Sequence, residues 1–169
     1  MDMNALKKIQ YGMYIISSSF EGKMSAQIAN TVFQTTSDPV QFAVSLSKQN
    51  FTYELVDKSG KFSVTALSEE APFEFIGKFG FKSGRNTDKF EKINYEISPD
   101  GIPVILDFAA AVFEAEVVKK LDMDSHILFL GRITGMKVID ESKNTMTYDY
   151  YHKIKGGLMA KNAPTYIKK

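Results

Sequence analysis

Residues 94–139 constrain the fold more than any other part of the chain. Extended segments at 94–98, 103–106, 109–120 and 126–139 follow one another with only tight turns between them. HILFLGRITGMKVI (126–139) is long and rich in branched residues. Strands in such close succession pair antiparallel, because a parallel pair needs a crossover of a dozen or more residues. Long strands with tight turns point to an antiparallel barrel rather than alternating βαβ units.

The N-terminal half adds to the same pattern. NALKKI (4–9) forms one short helix, and YGMYIISSSF (11–20) reads as a strand. A turn at Glu21-Gly22-Lys23 leads into MSAQIANTVFQTT (24–36), read as a second strand, so 11–36 is expected to be a hairpin. Asp38-Pro39 breaks it. QFAVSLS (41–47) alternates, with Phe42, Val44 and Leu46 on one face and Gln41, Ala43, Ser45 and Ser47 on the other. Asn50 is placed to cap a helix carrying Phe51, Leu55 and Val56 at helical spacing, and Gly60 stops it. KFSVTAL (61–67) is again a strand, and Pro72 opens a helix over 72–80. KSGRNTD (82–88) is a polar loop, KFEKI (89–93) a helical turn that Asn86 and Thr87 would cap, and TMTYDYYH (145–152) a last short strand. The expectation is a mainly β chain of about seven strands and two or three short helices, folding as one domain over 1–169.

Composition removes whole classes of function. Without a cysteine there is no disulfide, thiol catalysis or protein-borne iron–sulfur cluster, and two histidines make a His-rich metal site a poor expectation. The net charge of +1 is not the footprint of a nucleic-acid surface. MDMNALKKIQYG lacks the apolar core of a signal peptide, and no run approaches the length of a membrane span, so a cytoplasmic location is expected. P-loop, GxGxxG and GxSxG patterns are all missing.

Three short stretches concentrate polar side chains. Ser45, Ser47, Lys48, Asn50 and Thr52 crowd the junction between a strand and a helix. Backbone N–H groups and the dipole at a helix start favour an anion such as phosphate, and these side chains would add donors. The alternative is an ordinary cap beside a solvated strand face. SGRNTDKF (83–90) offers Gly84 for close approach and the planar fork of Arg85, or else is a surface turn. In QIANTVFQT (27–35), Gln27, Ala29, Thr31 and Phe33 share one face and Ile28, Asn30 and Val32 the other. A buried asparagine there needs partners, which a flat amide-bearing ring could supply; an edge or bulge position would serve it equally.

QIANTVFQTTSDP, VSLSKQNFT and SGRNTDKF occur together and in this order. The combination resembles the flavin reductase-like FMN-binding split barrels, above all the flavin domain of high-molecular-weight rubredoxins, and is similar to flavoredoxins. The resemblance runs from about Lys7 to Tyr166 and includes the C-terminal KNAPTY. It implies a homodimer with FMN near the subunit interface, and NADH or NADPH as electron donor. Carried over by position, it implies that Asn30, Thr31 and Val32 line the flavin ring, with Gln27 and Ala29 close by. Ser45 and Ser47 would reach the ring edge or ribityl chain. Lys48, Asn50, Phe51 and Thr52 would meet the ribityl chain and phosphate, with Ser83 and Arg85 closing over it. His126 would stand on the nicotinamide or substrate side, its imidazole steering a dinucleotide or stabilising charge on the reduced ring.

The chain departs from the family pattern at Val40 (often proline), Tyr53 (often histidine), Ser25-Ala26 (commonly Asn-Gly) and Ala160 (often proline). It contains no cysteine pair for a rubredoxin iron. The resemblance implies an NAD(P)H-dependent flavin oxidoreductase. Two alternatives stand beside it. One is an electron carrier serving a rubredoxin- or ferredoxin-like partner, for which Lys153, Lys155 and Lys161 supply a basic tail; the other is a barrel without redox turnover. Tyr148, Tyr150 and Tyr151 are read first as packing or dimer contacts, with stacking on a ring as the alternative; His152 is read first as a surface residue, with a place beside the flavin through a dimer interface as the alternative.

Overall fold

The computed structural model describes residues 1–167. A short 3-10 helix, Met3–Lys8, precedes nine strands and three α-helices. The strands are β1 (Tyr14–Phe20), β2 (Lys23–Ala29), β3 (Val32–Ser37), β4 (Val40–Ser47), β5 (Lys61–Leu67), β6 (Tyr95–Ile97), β7 (Pro103–Ile105), β8 (Ala109–Met123) and β9 (His126–Val138). The helices are α1 (Phe51–Ser59), α2 (Phe73–Gly80) and α3 (Tyr148–Lys153).

Seven strands form one sheet in the order β2-β1-β5-β8-β9-β4-β3, and β6 and β7 pair separately. Every pairing is antiparallel. The two outer strands, β2 and β3, are neighbours in sequence, linked only by Asn30 and Thr31. Such a link spans at most about 11 Å between Ala29 and Val32. The sheet therefore curls until its edges meet at these two residues, and the mainly β barrel expected from the sequence is what forms.

β1 shows why both sides of the wall are apolar. Ile16 points into the barrel with Val44, Leu46, Phe62, Val64 and Phe129. Its neighbour Ile15 points outward, against a second cluster containing Phe75, Ile76 and Phe79 of α2. Hydroxyls on β5 then fasten the small hairpin: Ser63 Oγ donates to Pro103 O (2.7 Å) and Thr65 Oγ1 to Ile105 O (3.0 Å). Both bonds are buried, so each satisfies a carbonyl that would otherwise be stranded away from water.

Local expectations fare unevenly. Lys61–Leu67 has the expected bounds, and α1 ends at Gly60, whose φ of 68° is the left-handed conformation of a helix stop. The single strand read over 24–36 is instead β2 and β3, and the hairpin is β1–β2 alone. Alternation resets at the break: Ala29 and Val32 are both buried in the barrel core, while Phe33 is exposed. Residues 89–93 form non-helical turns, leaving Asn86 and Thr87 no helix to cap. The strand expected at 145–152 is α3. Its signal is Thr147, whose Oγ1 accepts from Tyr150 N (3.1 Å), with Asp149 and Lys153 paired one turn apart at 2.7 Å.

Candidate functional site

A cavity of about 480 Å³ opens where the ends of β2 and β4, the start of α1, the loop after α2, α3 and the C-terminal tail converge. That volume lies within the usual range for small-molecule sites. β2 contributes Gln27, Ala29 and the adjoining Asn30. Ser45 and Ser47, two apart on β4, come from one strand face, and Asn50 and Phe51 from the helix start. Ser83 and Arg85 reach the cavity from the loop. Nine of the fourteen residues singled out in the sequence thus share one cavity.

The start of α1 is unusually free. Asn50 has cap geometry, but its side chain makes no capping bond. Its Oδ1 instead accepts from Asn162 Nδ2 in the tail. The first N–H groups of the helix are left without a side-chain acceptor, which leaves a positive helix end at the cavity wall. Arg85 is held beside it: Nη1 donates to Gln49 O (3.1 Å), Nη2 pairs with Glu54, which offsets part of its charge, and the guanidinium lies 5.4 Å from the centre of the Phe51 ring. Gly84 permits this approach, because a Cβ there would collide with Ser25 Oγ and stand 3.2 Å from Phe51 Cδ1.

The β2 wall contains an unsatisfied acceptor. Gln27 Oε1 is buried without a hydrogen-bond partner. A buried amide oxygen in that state is costly unless something donates to it. Nearby, Asn30 is 4% exposed, and its Nδ2 donates to Thr165 Oγ1 (2.7 Å).

Five of the fourteen residues lie outside the cavity. Thr31 donates to Asn30 Oδ1 (3.2 Å), and Val32 is buried in the barrel core. Thr52 is buried behind the wall, sharing a 2.9 Å hydrogen bond with Ser25 Oγ that ties α1 to β2. Lys48 turns away to Asp122 at the far end of β8, with Nζ at 2.7 Å. That hydrogen bond holds the Asp122 carboxyl below its ordinary value. His126 pairs with Ser47 across the β4–β9 ladder and stands just beyond the lining, its Nε2 3.3 Å from Asn162 O.

The sequence reading missed two contributions: Phe79 at the end of α2 with Phe81 and Lys82 beyond it, and the tail between Leu158 and Pro164. Tyr148 and Tyr151, for which ring stacking is the alternative reading, form a further wall. Burial raises the phenol pKa of both tyrosines, keeping them neutral. The tyrosine cluster and KNAPTY were visible in the sequence, but neither carried a signal for which way it folds back. His152 is half-buried rather than on the surface, with Nδ1 2.8 Å from Gly157 O.

Under the tail end of α2, Lys89 is only 2% exposed, and its Nζ donates to Lys78 O (2.5 Å). Burial, reinforced by the charges of Lys78 and Lys82, pushes its pKa down to about 8. Among the described residues there is no cluster of three or more His, Cys, Asp and Glu able to hold a metal, and no helix is long and apolar enough to cross a membrane.

The chain is 43% identical over 166 residues to the high molecular weight rubredoxin of Moorella thermoacetica, covering 98% of this chain and 72% of that one. It is also 43% identical over 168 residues to the ferric-chelate reductase (NAD(P)H) of Archaeoglobus fulgidus, covering 99% of both. The crystal structure of the FMN-binding protein from Thermus thermophilus superimposes with a TM-score of 0.71 at 25% identity, over 79% of this chain and 74% of that one. The model of the flavin reductase like domain matches residues 6–156, so this chain belongs to the flavin reductase-like family of flavin-binding proteins.

Proposed function

We propose that the chain is a flavin oxidoreductase that binds FMN in the cavity described above and takes electrons from NADH or NADPH. The observation that carries this reading is the set of complementary groups in one cavity. Gln27, whose Oε1 is buried and unpaired, lines the same cavity as the uncapped start of α1 and Arg85. FMN carries a partner for each, a flat ring with an amide N–H and a phosphate dianion. The residues present therefore fit the group. The ferric-chelate reductase relative is named for NAD(P)H, and the Thermus neighbour for FMN, which supports both choices.

When bound, a flavin supplies two-electron hydride chemistry, and no side chain has to act as nucleophile. The protein's part is to bind, orient and exclude water. Gln27 would accept from the ring amide, with Ala29 and Asn30 forming the surface beside it. Ser45 and Ser47 offer hydroxyls along the cavity. Phosphate would sit at the helix start, where Arg85 and Ser83 add donors. His126, just beyond the lining, would be the residue that meets a nicotinamide or substrate. Lys48, Thr52, Thr31 and Val32 support the site from behind it.

A second reading is an electron carrier serving a rubredoxin- or ferredoxin-like partner. The identity to the high molecular weight rubredoxin supports it. In either case we expect a homodimer: Val118, Leu121 and Met123 on β8 are exposed apolar side chains that a second copy would cover.

The test is the visible spectrum of the protein reconstituted with FMN, followed anaerobically on adding NADH and NADPH separately. Bleaching of the flavin bands by either is the expected result. Bound flavin that neither reduces would move the assignment to the electron carrier. Failure to bind FMN would overturn both.

A further inference from the structure

The C-terminal tail crosses the cavity without joining the sheet. Its own backbone bonds are local, with Ala163 N donating to Ala160 O and Tyr166 N to Ala163 O, both at 3.0 Å. Side chains moor it instead. Asn30 Nδ2 donates to Thr165 Oγ1 (2.7 Å), and Tyr151 OH to Leu158 O (3.1 Å). Asn162 makes two further ties: its Nδ2 donates to Asn50 Oδ1, and its carbonyl receives His126 Nε2 at 3.3 Å. Asn162 also lines the cavity.

These contacts have a chemical consequence for His126. A backbone carbonyl only accepts, so the nitrogen facing it must carry the proton. Nδ1 faces Ser125 Oγ at 2.8 Å, and a hydroxyl can donate to it. The neutral imidazole is thereby fixed as the Nε2–H tautomer, with its ring plane set by the tail on one side and the β8–β9 turn on the other.

We propose that Asn162 is a positioning residue of this site. It latches the tail over the cavity through Asn50 and fixes the tautomer and orientation of His126, so that a bound flavin remains with the protein as a slowly exchanging group. The ligand in this inference rests on the reading above; the latch and the tautomer do not. A latch held by a few side-chain hydrogen bonds opens readily, since each carries only a modest net free energy. Removing one of them should change the opening equilibrium about threefold to tenfold.

The experiment uses the full chain with Asn162→Ala and, separately, Thr165→Val, which cuts the other mooring. FMN release is timed by chasing the loaded protein with excess apoflavodoxin. In parallel, long-range proton–nitrogen NMR of the ligand-free protein reports the His126 tautomer, with His152→Gln assigning the two rings. We expect release about threefold to tenfold faster in each variant. We also expect an Nε2–H signature in the wild type that shifts toward the tautomer average in Asn162→Ala, where the backbone carbonyl remains but the tail carrying it is open a larger fraction of the time. Unchanged release in both folded variants overturns the latch, and so does an Nδ1–H wild-type ring. A wild type that binds no FMN overturns the flavin reading instead. The latch is then decided by the His126 signal, and its failure to move in Asn162→Ala refutes it.

Discussion

Lys89 offers the sharpest quantitative test of the site's surroundings. Its ammonium is buried beneath the loop that forms one cavity wall, bonded to Lys78 O and faced by two other lysines. Its pKa falls from 10.5 to about 8 on folding. Between those values the unfolded chain binds more protons than the folded one, so stability rises with pH across that window. Below pH 8 the full penalty applies, about 3 kcal/mol at pH 7; by pH 10 less than about 1 kcal/mol remains. Lys89→Met removes this titration. The stability difference between variant and wild type, measured by urea unfolding of ligand-free protein, should therefore shift by about 2–3 kcal/mol from pH 7 to pH 10 in favour of the wild type. Tyr14, Tyr148 and Tyr151 titrate above pH 10 in both proteins and cancel in the difference. A difference that stays flat between pH 7 and 10 would refute the claim that Lys89 is buried as a charge.

Two substitutions probe the cavity directly. Gln27→Leu removes an acceptor that is already unpaired in the ligand-free protein, so thermal stability should hold or rise by about 1 kcal/mol. FMN affinity, read by fluorescence titration, should fall about tenfold. Gly84→Ala drives a Cβ against Ser25 and Phe51, with Ser25 Cβ at 3.1 Å. It should cost about 1–3 kcal/mol in denaturant unfolding and weaken FMN binding by displacing the loop that presents Arg85.

Periodicity and turn chemistry made most of the barrel legible. β5 alternates between apolar and hydroxyl residues, and Gly60 marks the end of α1 unmistakably, so both were placed from local sequence. The break at Asn30-Thr31 was not, because neither residue is a glycine or proline and the apolar pattern continues through it. That break is dictated by a global requirement, the transfer of the chain from one sheet edge to the other. Tyr148–Lys153 was misread because β-favouring aromatics outweighed the Thr147 cap. In the candidate site, the strand residues were located well because alternate positions share a face. The helix start was harder: around a tight junction each residue turns to a new direction, so Lys48 and Thr52 bracket Asn50 in sequence yet point elsewhere. The tail could not be placed, since side-chain contacts hold it in place of sheet pairing, two of them with residues over a hundred positions away.

The strand order has a consequence for how the chain reaches this state. β8 and β9 are joined by a two-residue turn and lie at the centre of the large sheet. β5, β1 and β2 add to one flank of that hairpin, and β4 and β3 to the other. The central pair is local in sequence and closes quickly, whereas each flank waits on long-range pairing. Since the cavity takes its walls from β2 at one margin and β4 near the other, no half-assembled barrel contains it. The site therefore needs both flanks docked, and a chain arrested with either flank undocked has a sheet but no site.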